Sequence, residues 1–363
     1  MNKDLINVGI IGAGWITSNV YIPILTKMEN VVIKAICDLN KDVLNSIKKE
    51  HGITYVYDSI EDFIKCDIDA ALIAVPNYLH AEISTILLNN NINVFCEKPI
   101  ALCEYDIRTM INIAKSKGLI FMPSFANRYR EDVSKMLNLI KKSNIGTPIE
   151  IKAEWSRNRG VPRPGSWFTQ KKYSGGGVLV DLGSHVLDVC LCICGCKQIK
   201  LCHLIKKQHD IDEIFLYANA DWFGENLKNN KFDVEDEITS KIILENSTSI
   251  EMNLSWVSNC KYDYTNFFIK GSKGSIKLNT LFGFNKQPEY IQPFLEIENS
   301  VGKKRYFFNQ ETNNTYKAFS TILKKFFDLI SLRKNDICIN DDDLELAYNN
   351  VKIIEQLYNS CEE

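Results

Sequence analysis

The chain has 363 residues, 45% of them hydrophobic and 24% charged, with a formal net charge of −2. A chain of this length exceeds what one hydrophobic core usually organises, so two domains are expected. The balanced charge gives no electrostatic footprint for nucleic acid or an anionic membrane surface, and neither is expected as a partner.

The first residues, Met1-Asn2-Lys3-Asp4, run directly into an apolar segment without the regions of an export signal. No apolar run reads as approaching the ~18 residues of a membrane span, so no transmembrane helix and a cytoplasmic location are expected. The twelve cysteines then read as free thiols in a reducing compartment. Cys190, Cys192, Cys194 and Cys196 are spaced by two, which scatters them around a helix axis. They are expected to be packing residues, and no metal site is expected.

Residues 5–11 are a short apolar run that fits a buried parallel strand. Gly12-Ala13-Gly14-Trp15-Ile16-Thr17 follows at once, and a second β-rich run, Val31–Cys37, ends in Asp38. Strand, glycine turn, helix, strand and acid within one βαβ length form a dinucleotide fingerprint in its required context. Gly12 allows the tight turn, and Gly14 lets the backbone approach a pyrophosphate at the helix N-terminus. Thr17 stands where the fingerprint has its third glycine, which spaces the helix slightly further from the strand. The Asp38 carboxylate can accept from adenosine ribose hydroxyls and repels a 2′-phosphate, and Leu39 and Asn40 bring no cation, so NAD is expected rather than NADP.

The alternation continues. A helix is expected over Asn40–His51, a strand over Thr54–Tyr57, a buried strand over Asp69–Val75, a helix over 81–89, a strand over Asn93–Cys96, a helix over 103–117 and a strand over Leu119–Met122. Repeated strand–helix units imply a parallel sheet with helices on both faces, whose ligands lie at the carboxyl ends of the strands. Gly12, Asp38, Pro76-Asn77 and Glu97-Lys98 all fall at such ends. Lys98 is either a charged turn residue or a lysine at the mouth of the dinucleotide site, able to hydrogen-bond a substrate oxygen and take part in proton transfer.

A helix is expected from Phe125 to about Lys142, and an alternating strand over Ile149–Arg157. The loop after it, Arg157 to Phe168, is rich in Arg, Pro and Gly and leads to Lys171. Its arginines can bind a substrate phosphate or carboxylate, bind the cofactor pyrophosphate, or form a solvated loop. Gly175-Gly176-Gly177 then opens an apolar stretch read as a helix, on which Asp181, His185 and Asp188 stand at i, i+4 and i+7 and share a face. That stripe is either a carboxylate–imidazole site facing a cleft, with His185 as acid/base, or the wet edge of a core helix. The runs Phe215–Trp222, Glu237–Leu244, Ser249–Val257, Asn266–Lys270 and Gly274–Leu278 suggest an open, mostly antiparallel sheet. Asn340 precedes Asp341-Asp342-Asp343, acids suited to the start of a last, structural helix.

Taken together, Gly9-Ile10-Ile11-Gly12-Ala13-Gly14, Val75-Pro76-Asn77-Tyr78-Leu79-His80-Ala81-Glu82, Glu97-Lys98-Pro99 and Gly175 to Asp188 resemble the glucose–fructose oxidoreductase / inositol dehydrogenase / MocA-like (Gfo/Idh/MocA) oxidoreductases, in order and in spacing, across essentially the whole chain. The resemblance implies an α/β chain: an N-terminal Rossmann domain over 1–124 and a C-terminal α+β substrate and oligomerisation domain over 125–363 with a large open sheet. It implies NAD-dependent oxidation of a secondary hydroxyl of a sugar, sugar phosphate or cyclitol. Lys98 resembles the family's active-site lysine, His185 the base that takes the hydroxyl proton, and Asp181 the carboxylate that holds substrate or orients the histidine. The cofactor set becomes Gly12, Gly14, Trp15, Ile16, Asp38, Val75, Pro76, Asn77, His80, Glu97 and Lys98. Asn127, Arg157, Asn158 and Lys171 become candidate substrate contacts. The resemblance also implies a homodimer or homotetramer through the C-terminal sheet, and a Lys98-Pro99 bond that is often cis. Tyr21 departs from the pattern, since many members carry a histidine there. A redox-neutral NAD-using glycosidase and a non-catalytic sugar-binding regulator are the competing readings.

Overall fold

The computed structural model describes residues 5–195, 198–210, 214, 231–284, 292–308, 313–333 and 341–360. They divide into two compact units, Met1–Phe125 with Phe319–Tyr348, and Ala126–Ala318 with Asn349–Glu363. The expected boundary near 124 therefore misses one excursion: residues 319–348 belong with the first unit. The reason is aromatic packing. Phe319 meets Tyr21 edge-on at 6.1 Å, and Phe326 packs 5.5 Å from Phe95. Burying such a side chain contributes roughly 1.5–3 kcal/mol, which is enough to hold a returning helix.

The first unit is a six-stranded parallel sheet in the order β3-β2-β1-β4-β5-β6. Its strands are β1 (Ile6–Ile11), β2 (Val31–Cys37), β3 (Tyr55–Tyr57), β4 (Ala70–Ile73), β5 (Asn93–Cys96) and β6 (Phe121–Pro123). The central strands are mostly apolar, as in sheets whose two faces are covered by helices; β4 and β5 are buried at every residue. The helices are α1 (Ile22–Leu25), α2 (Lys41–His51), α3 (Ile60–Phe63), α4 (His80–Asn89) and α5 (Glu104–Ser116). Asn40 caps α2 by accepting from the Asp42 and Val43 amides, so the helix begins one residue after its expected start. Strand order reverses on either side of β1, and that reversal opens the crevice in which such sheets hold ligands.

The second unit is an eight-stranded sheet in the order β14-β13-β12-β11-β7-β10-β9-β8. Its members are β7 (Pro148–Ser156), β8 (Ile199–Lys207), β9 (Glu237–Leu244), β10 (Ser249–Ser255), β11 (Tyr264–Gly271), β12 (Gly274–Thr280), β13 (Phe294–Asn299) and β14 (Gly302–Phe307). Only the central β7–β10 pair is parallel; the other neighbours run antiparallel. Strands β8, β13 and β14 add to those expected, and the expected run Phe215–Trp222 lies outside the described residues. The inner face carries Ile151, Ala153, Trp155, Met252, Leu254, Phe267 and Leu278, all buried. The outer face is mixed: Leu201, Ile205 and Phe268 are exposed on it, Glu251 lies between Lys152 at 3.7 Å and Lys241 at 3.5 Å, and Glu296 between Lys303 at 2.7 Å and Arg305 at 2.5 Å. Such cross-strand charge ladders set register more than they stabilise.

Helices α6 (Glu131–Lys141), α7 (Lys171–Ser174) and α8 (Ser184–Cys194) belong to this unit, α9 (Asn313–Arg333) runs from it into the first, and α10 (Asp341–Asn359) leads back. Two expectations change here. The single helix expected from Phe125 to Lys142 is a short turn, Ala126–Tyr129, and then α6, separated by Arg130 in extended conformation. Arg130 is buried and spends its guanidinium on Asp132, at 3.1 and 3.0 Å, and on Thr280 and Thr315. That network forces the break, and Arg130 with β-like angles serves as the N-cap. The second change concerns the stretch after the three glycines. It is apolar and long enough over Lys171–Cys194 to pass for a membrane span by length and composition, yet 78% of its most apolar window is buried within the fold. It is a core helix, and its first turns, Leu179–Gly183, are π-helical.

The π turn breaks the expected shared face. Asp188 does not join a stripe with Asp181 and His185; it is 1% exposed and takes both its oxygens to the buried Arg128 guanidinium, with Nε–Oδ2 at 3.0 Å. Removing one partner of a buried pair leaves an uncompensated charge. Asp188→Ala is therefore expected to cost about 3–5 kcal/mol in urea unfolding, with the loss appearing in the midpoint rather than the slope.

Candidate active site

In the first unit, four turns leave the carboxyl ends of adjacent strands. Gly12 follows β1 with φ +96°, and a Cβ there would lie 2.3 Å from the Ala74 carbonyl oxygen, so only glycine fits. Above Gly14 the space is open, with nothing within 4 Å of where a Cβ would stand. Thr17, in place of the third glycine, is fully buried and donates to the Gly12 carbonyl at 2.6 Å. It thereby ties helix to turn by a hydrogen bond where glycine does so by proximity. Trp15 is exposed and Ile16 half-buried at the helix start.

Asp38 stands beside this turn at the end of β2. Its Oδ2 accepts the Ala13 N–H at 2.7 Å and its Oδ1 the Asn40 N–H at 2.8 Å. Leu39 next to it is 87% exposed. A glycine turn with open space above it, a helix start behind it and a carboxylate at its side fits the pyrophosphate and ribose of a dinucleotide.

After β4 come Val75, Pro76 and Asn77, and after β5 come Glu97, Lys98 and Pro99, with the Lys98–Pro99 peptide cis. His80, expected to line the cofactor, is 1% exposed and spends both ring nitrogens on backbone carbonyls: Nδ1 lies 2.7 Å from Pro99 O and Nε2 2.8 Å from Val75 O. The ring thus stands between the two turns that follow β4 and β5. Burial holds the imidazole below the ordinary histidine range, against the pull of the two carbonyls. Glu97 accepts Tyr21 Oη and Ser124 Oγ on Oε1, and the Lys98 N–H on Oε2.

In the second unit, Asp181 and His185 lie on the π turn and the first turn of α8. Trp256 Nε1 donates to Asp181 Oδ2 at 3.1 Å, and Arg157 Nη1 stands 3.9 Å from the same oxygen. The His185 ring is 6.0 Å from that of Trp155, over which the Arg157 guanidinium also lies at 5.2 Å. Asp181, His185 and Arg157 are thus one cluster, packed against Trp155 and Trp256. Within it, Trp155 Nε1 and Arg157 Nε are enclosed without an acceptor among the described residues. Asn158 donates its side-chain amide to Cys260 O and its backbone N–H to Asp263. Lys171 is exposed, its ammonium 5.9 Å from the Tyr358 ring. Asn127 is 7% exposed on the turn before α6.

The glycine triplet is explained by close approach. A Cβ on Gly176 would lie 1.9 Å from Tyr358 Oη, and one on Gly177 1.8 Å from Glu235 O. Glu235 is the residue that sequence reading missed. Its Oε1 accepts the Gly177 N–H at 3.0 Å, the Leu179 N–H at 3.1 Å and Tyr358 Oη at 2.7 Å. Lying 58 residues after Gly177, it carries no local signal. No group of three or more metal-ligating side chains occurs among the described residues.

Two family models match the chain: an oxidoreductase family with an NAD-binding Rossmann fold over residues 6–125, and the GFO/IDH/MocA C-terminal domain over residues 133–277. A protein of Amycolatopsis mediterranei (strain S699), named provisionally as the oxidoreductase subunit of a UDP-kanosamine synthase, is 31% identical over 289 residues, 79% of each chain. The chain belongs to the Gfo/Idh/MocA oxidoreductase family. D-glucoside 3-dehydrogenase of Escherichia coli (strain K12) is 25% identical over 72% of this chain and 73% of its own. Among solved structures, levoglucosan dehydrogenase in complex with NADH and levoglucosan has the same fold, with a TM-score of 0.78 over 98% of this chain and 97% of that one at 19% identity. As a member of this family, the chain is an NAD(P)-dependent oxidoreductase related to sugar dehydrogenases.

Two outcomes test the site. Gly12→Ala is expected to weaken NAD binding at least about tenfold, or about 1.4 kcal/mol, by calorimetry. The second concerns Glu235, whose carboxyl burial pushes above its ordinary value of 4.5. Its contribution to stability is present below pH 4.5 and fades as pH rises through the elevated value. Glu235→Gln keeps the acceptor, so the variant's unfolding free energy relative to the parent is expected to improve progressively above pH 4.5.

Proposed function

We propose that the protein oxidises a secondary ring hydroxyl of a hexose or hexoside, at C3, with NAD as acceptor. One observation carries this reading: Asp181, which accepts from Trp256 and stands 3.9 Å from Arg157, lies one helical turn before His185, whose ring packs 6.0 Å from Trp155. A carboxylate, a guanidinium and an imidazole suit the hydroxyls of a pyranose. The names of relatives support the position attacked. A D-glucoside 3-dehydrogenase, a Bacillus subtilis glucose-6-phosphate 3-dehydrogenase and the 3-ketoreductase KijD10 of Actinomadura kijaniata each specify carbon 3.

In this reading Gly12, Gly14 and Asp38 hold the dinucleotide, and the absence of a cation at Leu39-Asn40 favours NAD over NADP. The bound nicotinamide accepts the hydride. His185 takes the hydroxyl proton as the C3–H bond breaks, leaving a ketone and a protonated imidazole. Asp181 offsets that positive charge and fixes a neighbouring hydroxyl. Lys98 donates to the substrate oxygen and stabilises the negative charge that develops there as His185 takes the proton. Two or four copies of the chain associating through the outer face of the β8–β14 sheet complete the reading.

Lys98→Ala and His185→Ala are each expected to lower kcat by about 10³-fold or more, in the range removed with a general acid or base, while NAD affinity stays within about twofold of the parent. NADH formation with free hexoses, hexosides, hexose phosphates and inositols, repeated with NADP, is the direct test. A C3-deuterated glucoside is expected to transfer its label to the cofactor. Transfer from another carbon would overturn the C3 assignment. Binding of NAD without label transfer or any substrate turnover would overturn the dehydrogenase reading.

A further inference from the structure

We propose that Tyr21 is a positioning residue for Lys98, acting through the Glu97 carboxylate; the inference rests on the reading of Lys98 as the catalytic lysine. Tyr21 ends a π-helical turn, Thr17–Tyr21, that follows the glycine turn and points the ring into the sheet, where it is wholly buried. π turns inside α-helices recur at functional sites because they re-aim one side chain. Here the re-aimed group is a phenol, and its hydroxyl donates to Glu97 Oε1, which also accepts Ser124 Oγ at 3.0 Å. The other oxygen, Oε2, accepts the Lys98 backbone N–H at 3.1 Å. One carboxylate therefore has two jobs. Its first oxygen is clamped by two side-chain donors from distant segments, and its second holds the main chain at the residue that carries the ammonium.

The clamp is needed because the site is enclosed. Burial holds the Glu97 carboxyl above the ordinary glutamate range, against the pull of Tyr21, Lys98 and Ser124. The facing groups are those three and the Cys96 thiol, which burial keeps protonated. Burial and Glu97 together hold the Tyr21 phenol well above its ordinary range, so it stays a donor. Without that donor, Glu97 titrates higher still, and its anion is held over a narrower pH range. The hydrogen bond to the Lys98 N–H then weakens, and the negative charge that Glu97 places beside Lys98 is lost. A phenylalanine fills the same space, so Tyr21→Phe removes the hydroxyl and keeps the edge contacts with Phe95 and Phe319.

Two readouts on the full chain with NAD bound test the inference. Competitive acetylation with acetic anhydride, read by peptide mass spectrometry between pH 6 and 9, reports the Lys98 amine without any sugar. In Tyr21→Phe its rate at neutral pH is expected to rise at least about threefold, as a lysine that has lost a countercharge is less protonated. With a sugar that turns over, kcat is expected to fall about tenfold with KM within about twofold, and the acid limb of the kcat profile to move up by about one pH unit. Ser124→Ala is expected to move both in the same direction by less, and it decides the matter should Tyr21→Phe not fold. Folded variants with parental acetylation rates would overturn the inference. Altered acetylation in a protein that oxidises no sugar would leave the linkage standing and remove only the functional reading on which Lys98 was called catalytic.

Discussion

A carboxylate that accepts backbone N–H groups of a turn is the interaction on which both units' functional surfaces depend. Asp38 holds the glycine turn through the Ala13 N–H, Glu97 holds the Lys98 N–H, and Glu235 holds the amides of Gly177 and Leu179. Turns rich in glycine cost more conformational entropy to order than any other segment. A charged acceptor answers that cost with hydrogen bonds about twice as strong as neutral ones. Each carboxylate is therefore structural before it is chemical: it makes a flexible segment rigid enough to meet a ligand.

The second recurring device is the π turn. One lies at the helix that follows the dinucleotide-type glycine turn and the other at the helix that follows the glycine triplet. A π turn adds a residue to a helical repeat, so side chains beyond it are rotated relative to those before it. In the first unit it delivers Tyr21 to the interior. In the second it separates Asp181 from Asp188, sending one to Trp256 and Arg157 and the other to Arg128. Spacing arguments that assume 3.6 residues per turn fail at these positions, and the failures coincide with the residues that matter most. Where local regularity gives way, the surrounding packing over-determines the outcome.

The eight-stranded sheet separates two tasks by its period of two. Its inner face supplies Trp155 to the cluster around His185, and its outer face carries Lys152, Glu251 and Lys241 one residue out of phase. Buried aromatic area supports the site, whereas the charge ladder adds little stability in water. Shifting any one strand by a single residue would exchange the two faces, which is why register here is itself a functional property.

The strand and helix pattern of the first unit, its parallel order and the convergence of Gly12, Asp38, Asn77 and Lys98 at strand ends were all legible in the sequence, because buried strands and glycine turns are local signals of composition and period. The same holds for the alternating strands around β7 and β10, and for the family to which the chain belongs. Tertiary structure alone decided the rest. Glu235 reaches the glycine triplet from 58 residues further on, Phe326 returns to the first unit from far along the chain, and Arg130 breaks a helix whose apolar period is intact. Asp188, placed by spacing on one stripe with Asp181 and His185, is paired with Arg128 instead. The physical reason is common to all of these. A buried polar group must find its partner wherever the fold supplies one, and neither the periodicity nor the composition of a segment encodes a partner that lies far away in sequence.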